Sequence, residues 1–150
     1  MMITTKLFGE IEAAENKIIF FSSGIVGFPQ LERFLLIHDA ENEKSSISWL
    51  QSLDEPAFAM PVIDPLLLIA DYNPVVEHEM LEPLGDMKPE DMLVLITITV
   101  PSDLTKMTAN FKAPIIINAG SNRACQLIIE DERYEIKHPI YHLLKDKKGD

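Results

Sequence analysis

The chain has 150 residues, of which 47% are hydrophobic, and this length and apolar content predict one domain over residues 1–150. Its 24 acidic and 13 basic residues give a net charge of −11, which argues against a direct nucleic-acid binder, because such proteins need cations to neutralise phosphates. Because Cys125 is the only cysteine and no apolar stretch resembles a signal peptide or reaches the roughly 20 residues of a membrane helix, we expect a cytoplasmic protein that binds no membrane.

Alternating and β-branched apolar segments predict short strands through the first half of the chain. These strands are expected over residues 3–11, 17–21, 34–38, 47–53 and 57–63. A charged turn over residues 39–46 separates the third strand from the fourth. The sequence Asp54-Glu55-Pro56 predicts a hairpin between the last two strands, and Asp64-Pro65 ends the second of them.

In the second half, strands are predicted over residues 92–100, 115–117, 125–129 and 134–140. Three consecutive isoleucines, Ile115 to Ile117, indicate a strand buried on both faces. A single helical turn is expected over residues 86–92, with Pro89 at an early position. The whole pattern predicts an all-β fold, a mostly antiparallel closed barrel or barrel-like sandwich with at most one or two short helices. A flexible charged tail is expected from about residue 145.

The sequence shows no catalytic, cofactor-binding or metal-binding constellation. His138 and His142 are four residues apart, but no cysteine or carboxylate stands at a spacing that would complete a zinc site. Cys125 lies in an apolar strand, where a free cysteine behaves as a small hydrophobe. The loop from Gly24 to Gly27 lacks the spacing of a phosphate-binding loop. We therefore predict a protein that is not an enzyme and needs no cofactor.

Two surface features remain as candidates for binding another protein. The first is an acidic segment in which Lys88 is the only basic residue; its acids are Glu77, Glu79, Glu82, Asp86, Glu90 and Asp91. This acidity either keeps the protein soluble or steers it toward a basic partner, and composition does not decide between the two. The second is an apolar loop in which Phe20 and Phe28 are expected in the core, leaving Ile25 and Val26 as a docking patch.

Three motifs in order resemble the FliW family of flagellar assembly factors. The first covers residues 20–29, a strand that ends in a glycine-hinged loop, and the second covers residues 49–58, with Asp64-Pro65 and Asp71-Tyr72 downstream. The third is Asn110-x-Lys112-Ala113-Pro114-Ile115-x-Ile117-Asn118, with Gln126 eight residues later. The resemblance extends from about residue 3 to about residue 139. Phe111 and Ala124 are mild departures, where leucine and glycine are expected.

The resemblance implies a non-enzymatic protein with two partners. One is flagellin, bound through its C-terminal region, and the other is the RNA-binding carbon storage regulator CsrA, which represses translation of flagellin mRNA. By antagonising the regulator, such a protein would couple flagellin secretion to flagellin translation. The alternative from another class is a small-molecule-binding β-barrel or an enzyme. A purely structural subunit, such as one of a homodimer, also remains open.

Overall fold

The computed structural model describes residues 1–38 and 47–148, the last four of these as backbone only. The predicted turn over residues 39–46 and the last two residues of the predicted tail lie outside the described residues. The strands are β1 (Met2–Thr5), β2 (Gly9–Glu12), β3 (Ile19–Phe21), β4 (Arg33–His38), β5 (Ile47–Ser52), β6 (Ala59–Ile63), β7 (Met92–Thr99), β8 (Thr108–Ala109), β9 (Ile115–Asn118), β10 (Arg123–Gln126) and β11 (His138–Pro139). The α-helix α1 covers Tyr141–Lys148. Turns of 3₁₀ helix cover Glu15–Lys17, Pro65–Leu67, His78–Leu84, Pro89–Asp91 and Leu104–Lys106.

Seven strands close into a barrel in the order β7-β6-β5-β4-β3-β10-β9. Closure depends on β7, whose first half pairs with β9 while Ile96 and Thr97 pair with β6. Neighbouring strands are antiparallel except for β3 and β10, which are parallel. The structure confirms the predicted all-β, mostly antiparallel closed barrel, with one short α-helix in the part of the chain that it describes.

Apolar side chains fill the interior of the barrel. Phe21, Phe34, Leu50 and Ile115 have no exposed surface and belong to one core cluster. The isoleucine run of β9 is buried on both faces, as predicted, because Ile115 and Ile117 join this core while Ile116 packs outside the barrel with Leu84 and Leu127. Alternate residues of a strand point to opposite faces, so this arrangement requires another segment to cover the outer face of β9.

The predicted single strand over residues 3–11 is wrong, because the chain turns back on itself and forms the β1–β2 hairpin. Gly9 has a positive φ of 69°, and the Thr5 hydroxyl donates to the Gly9 carbonyl at 2.9 Å. The same hydroxyl accepts a hydrogen bond from the Phe8 N–H at 2.9 Å. An alternating pattern is the same on both sides of such a turn, so periodicity alone does not locate it.

Two later strands differ from their predicted bounds. The strand expected over residues 125–129 begins at Arg123 and ends at Gln126, although the N–H groups of Leu127 and Ile129 still bond across to the segment before β9. Of the strand expected over residues 134–140, only β11 forms. These segments lie where pairing to β8 and β9 ends, so the partner strand and not the local sequence sets their length.

Three helical segments can be compared with the predictions for residues 77–150. The helical turn expected around Pro89 is confirmed as the 3₁₀ turn Pro89–Asp91. The longer 3₁₀ segment His78–Leu84 was not predicted, because it contains Pro83 and has no amphipathic α-helical repeat. The backbone of α1 begins directly after Ile140, so the chain enters the region of the expected tail as a helix.

Candidate functional site

The six acids form an exposed surface on the outside of the barrel. Five of them are exposed and Asp91 is half-buried. Their segment covers β9 and β10 from outside, because Leu84 packs against Ile116 and Leu127 while Leu81 and Met87 pack around them. Burial of the apolar members of the segment therefore leaves its carboxylates facing solvent, in a position to meet a partner. We refer to residues 77–91 as the acidic segment.

One buried side chain, that of Asn118, fixes the acidic segment to the barrel. Asn118 has no exposed surface, and its amide nitrogen donates to the carbonyls of Leu84 at 2.8 Å and Asp86 at 3.0 Å. Its amide oxygen accepts from the N–H of Gly120 at 2.9 Å. The Ser121 hydroxyl adds a second hydrogen bond to the Leu84 carbonyl at 2.9 Å. The acidic segment is thus held in place by the end of β9 and the turn that follows it.

A cleft of about 670 Å³ lies in this surface. Its walls combine carboxylates with apolar side chains; they include Leu81, Glu82, Asp86, Met87 and Asp91. Lys88 also lines the cleft, where the three carboxylates outnumber it. Lysine and arginine side chains have an apolar stem and a charged end, and such walls match both parts. The arrangement therefore suits basic side chains of another protein. We refer to it as the acidic cleft.

The second predicted patch, the loop after β3, is only partly accessible. Ile25 is 3% exposed and belongs to the core, whereas Val26 is 49% exposed. Phe20 and Phe28 were expected in the core, and this expectation is wrong, since they are 42% and 41% exposed. Phe20 faces outward because it lies between the buried Ile19 and Phe21 on β3. In the tight turn, the Ile25 N–H and the Phe28 N–H each bond to the other residue's carbonyl, and Ile25 is the side chain that enters the core.

The motif residue Gln126 holds this loop against the barrel. Its amide oxygen accepts from the Val26 N–H at 2.8 Å, and its amide nitrogen donates to the Ala113 carbonyl at 3.1 Å. Gly24 has a positive φ of 66°, and a Cβ there would lie 2.4 Å from the Pro29 carbonyl oxygen. Gln126 and Gly24, which belong to the motifs that carry the family resemblance, thus maintain the conformation of the loop.

The polar residues of the second motif also serve the fold. The amide nitrogen of Gln51, which is fully buried, lies within 3.1 Å of the carbonyl oxygens of Ser52, Pro56 and Phe58. Its two N–H groups are shared among these three acceptors and so shape the hairpin turn. Asp54 accepts from the N–H groups of Glu32 and Arg33 and from the Arg33 guanidinium. Partial burial raises the pKa of Asp54, but the hydrogen bonds from Arg33 and Glu32 outweigh it and hold this pKa below its usual value.

The histidine and cysteine side chains that were candidates for chemistry occupy positions set by packing and by secondary structure. The ring of His138 packs edge-on against Phe111, and His142 lies on α1. Burial raises the pKa of the Cys125 thiol to about 11, so this cysteine is a poor nucleophile near neutral pH. Over residues 1–38 and 47–148, no group of three or more His, Cys, Asp or Glu residues is placed to hold a metal ion. None of the helices in these ranges has the length and apolar character to cross a membrane.

One surface feature was missed by sequence reasoning. An apolar groove of about 350 Å³ lies beside the acidic segment; its lining includes Pro65, Leu66, Tyr72, Val76, Leu81 and Met92. The signal in the sequence is weak, since Leu66 and Met92 read as ordinary core positions next to a strand. Their exposures of 53% and 46% follow from the tertiary arrangement alone.

Comparison with known proteins agrees with this architecture over nearly the whole chain. The family model described as FliW protein matches residues 2–140. The chain is 51% identical over 148 residues to a flagellar assembly factor FliW of Lachnoclostridium phytofermentans, covering 98% of this chain and 95% of that protein. It is 45% identical over 151 residues to the flagellar assembly factor FliW of Lachnospira eligens, covering 99% and 100%. A crystal structure of the flagellar assembly factor FliW matches the fold with a TM-score of 0.85 and 30% identity, over 93% of this chain and 96% of that one. The chain therefore belongs to the FliW family of flagellar assembly factors.

Proposed function

We propose that this protein binds two partners in the cytoplasm, the C-terminal region of flagellin and the RNA-binding regulator CsrA. While it holds the regulator, flagellin mRNA is translated. Newly made flagellin displaces the regulator, which then represses translation until flagellin is secreted. The observation that carries the proposal is the FliW family match over residues 2–140, in a chain whose exposed acidic segment is suited to a basic partner.

Electrostatics supports the regulator as one partner. A protein that binds RNA needs a basic surface, and an exposed acidic surface attracts such a surface over a distance of about 8 Å at physiological ionic strength. The acidic segment contains Lys88 as its one basic residue. Complementary charge of this kind raises the association rate and selects the partner.

The interior of the barrel supports a binding role without a cofactor. Its core positions are occupied by apolar side chains such as Phe21, Phe34 and Leu50, which leaves the small-molecule alternative without a specific supporting observation. The buried amide nitrogens of Gln51 and Asn118 are used to hold turns. We propose that the partners bind on the outside of the barrel.

The test is binding of purified components. The protein is mixed separately with the regulator and with a flagellin C-terminal fragment, and each mixture is examined by gel filtration and calorimetry. We expect a complex in both cases, and addition of the protein should reduce binding of the regulator to flagellin mRNA. Failure to bind either partner would contradict the proposal. A pull-down from cytoplasmic extract, with identification of the recovered proteins, tests the same pair in the cell.

A further inference from the structure

The apolar groove is a preformed surface. Its floor includes Val94 of β7 and Ile116 of β9, so it stands on the closed barrel. One wall is fixed by the Tyr72 hydroxyl, which donates to the Phe111 carbonyl at 2.7 Å, and by the Asn73 N–H, which donates to the Tyr134 hydroxyl at 2.9 Å. Because the groove is already ordered, little free energy is lost in ordering its side chains when a ligand binds.

The size of the groove limits what it can hold. Its volume of about 350 Å³ lies near the lower end of the roughly 300–1,000 Å³ that is usual for ligand sites. Leu66 and Met92 are 53% and 46% exposed at its edge and present apolar surface to solvent. The groove is therefore suited to one or two apolar side chains of a partner segment.

The charges around the groove indicate which residues should flank the apolar side chains in the partner's segment. Residues 61–87 contain no lysine or arginine; their acids are Asp64, Asp71, Glu77, Glu79, Glu82 and Asp86. Arg133, which stacks on the Tyr134 ring near Asp71, partly offsets this charge at one end of the groove. Three of these acids are joined directly to lining residues, since Asp64 precedes Pro65, Asp71 precedes Tyr72 and Glu77 follows Val76. An apolar side chain that enters the groove is thus favoured when lysine or arginine residues flank it.

The groove is also continuous with the acidic cleft. Leu81, in the 3₁₀ segment His78–Leu84, lines both of them, so the two features lie on either side of one wall. A partner that is attracted by the acidic segment therefore reaches the groove without crossing the barrel. Exposed charges contribute mainly to the association rate, and buried apolar anchors contribute most of the binding free energy.

We propose that the apolar groove receives apolar side chains from a basic segment of the regulator and that this contact sets the dissociation rate of the complex. The inference rests on the proposed function, because it names the anchoring contact for one of the two proposed partners. The acidic segment draws the regulator in, and the groove retains it.

The test uses the full-length protein with two neutral substitutions, Leu66→Gln and Met92→Gln, combined in one variant. Both side chains are exposed, so the fold should tolerate the change. The matched control combines Leu104→Gln and Ile136→Gln, at positions that are 53% and 60% exposed and lie outside the groove lining. Association and dissociation rates for purified regulator are measured by surface plasmon resonance at several salt concentrations. The flagellin C-terminal fragment is measured in parallel.

We expect the groove variant to release the regulator roughly tenfold faster, with an unchanged association rate and unchanged salt dependence. The control should match the wild type. An unchanged dissociation rate in the groove variant, or an equal increase in the control, would overturn the inference while the proposed function stands. Weakened binding of the flagellin fragment with unchanged release of the regulator would also overturn it, since the occupant would then be flagellin. Failure of the wild-type protein to bind the regulator would instead overturn the proposed function, and the inference with it.

Discussion

Asn118 is the residue on which the position of the acidic segment most depends. We expect Asn118→Ala to lower the free energy of unfolding by about 2–3 kcal/mol, because the carbonyl of Asp86 and the N–H of Gly120 lose the amide that bonds them and the Leu84 carbonyl keeps only the Ser121 hydroxyl. Urea denaturation followed by circular dichroism measures the loss. Asn16→Ala, at an exposed position, is the control and should stay near the wild type. Equal stability of the two variants would contradict the assigned role.

Asp54 gives the protein a defined acid sensitivity. Because its pKa is lowered in the folded state, its ionised form stabilises the fold above the ordinary pKa of about 4, and this contribution is lost as pH falls through the lower folded value. We expect Asp54→Asn to be less stable than the wild type at pH 7. The difference in the free energy of unfolding between the two proteins should narrow below about pH 4. Urea midpoints across this range provide the measurement. A difference that stays constant with pH would show that the charge of Asp54 is not responsible.

At the scale of one element, the loop after β3 depends on Gly24. Alanine at this positive φ costs about 1–2 kcal/mol, and the added Cβ would also meet the Pro29 carbonyl oxygen at 2.4 Å. Gly9 is a matched control, since its φ is 69° and a Cβ there has nothing within 4 Å. We therefore expect Gly24→Ala to destabilise the protein clearly more than Gly9→Ala, as measured by thermal unfolding. Similar losses would mean that the loop moves to accept the methyl group.

The 3₁₀ segment His78–Leu84 contributes both to the packing of the barrel and to the exposed acidic surface. Leu84 is buried under the segment and its carbonyl is bonded to Asn118 and Ser121, while Glu79 and Glu82 stay exposed. The segment is not part of the sheet; the side chains of Asn118, at the end of β9, and of Ser121, in the following turn, bond to it instead. Its place on the barrel therefore depends on residues more than thirty positions away in the chain.

On the scale of the whole molecule, the distribution of charge can be tested separately from its total. We expect Glu79→Lys, Glu82→Lys and Asp86→Lys together to slow association with the regulator and to reduce its salt dependence, because these acids are exposed and in the proposed complex would meet a basic surface. Stopped-flow kinetics measures the rate, and thermal stability should stay near normal. The control replaces Glu10, Glu130 and Glu132 with lysine, which changes the net charge equally at other exposed positions. Equal slowing in both variants would assign the effect to net charge, and no slowing would leave the acidity as a device for solubility.

The proposed switch requires that the two partners do not bind independently. We expect a flagellin C-terminal fragment, titrated into the complex with the regulator, to release the regulator and restore its RNA binding. Linkage requires that the regulator weaken flagellin binding by the same factor. Calorimetric titrations in both orders measure the two factors. A stable ternary complex with both affinities unaltered would contradict the switch while leaving both binding assignments in place.

The sequence by itself determined the class of fold and most strands, because alternation and β-branching depend on residues that are neighbours in the chain. The isoleucine run of β9 and the hairpin between β5 and β6 are examples. Its motifs also indicated the FliW family, which the comparisons confirm.

Only the tertiary structure decided which apolar groups face solvent. Ile25 is buried while Phe28, Leu66 and Met92 are partly exposed, and local periodicity does not separate them. Exposure depends on what other segments cover, and the covering segment is set by long-range contacts such as those of Asn118. The acids of the acidic segment were visible in the sequence, but their shared surface, the acidic cleft and the apolar groove arise only when residues 65–91 fold against the outside of the barrel.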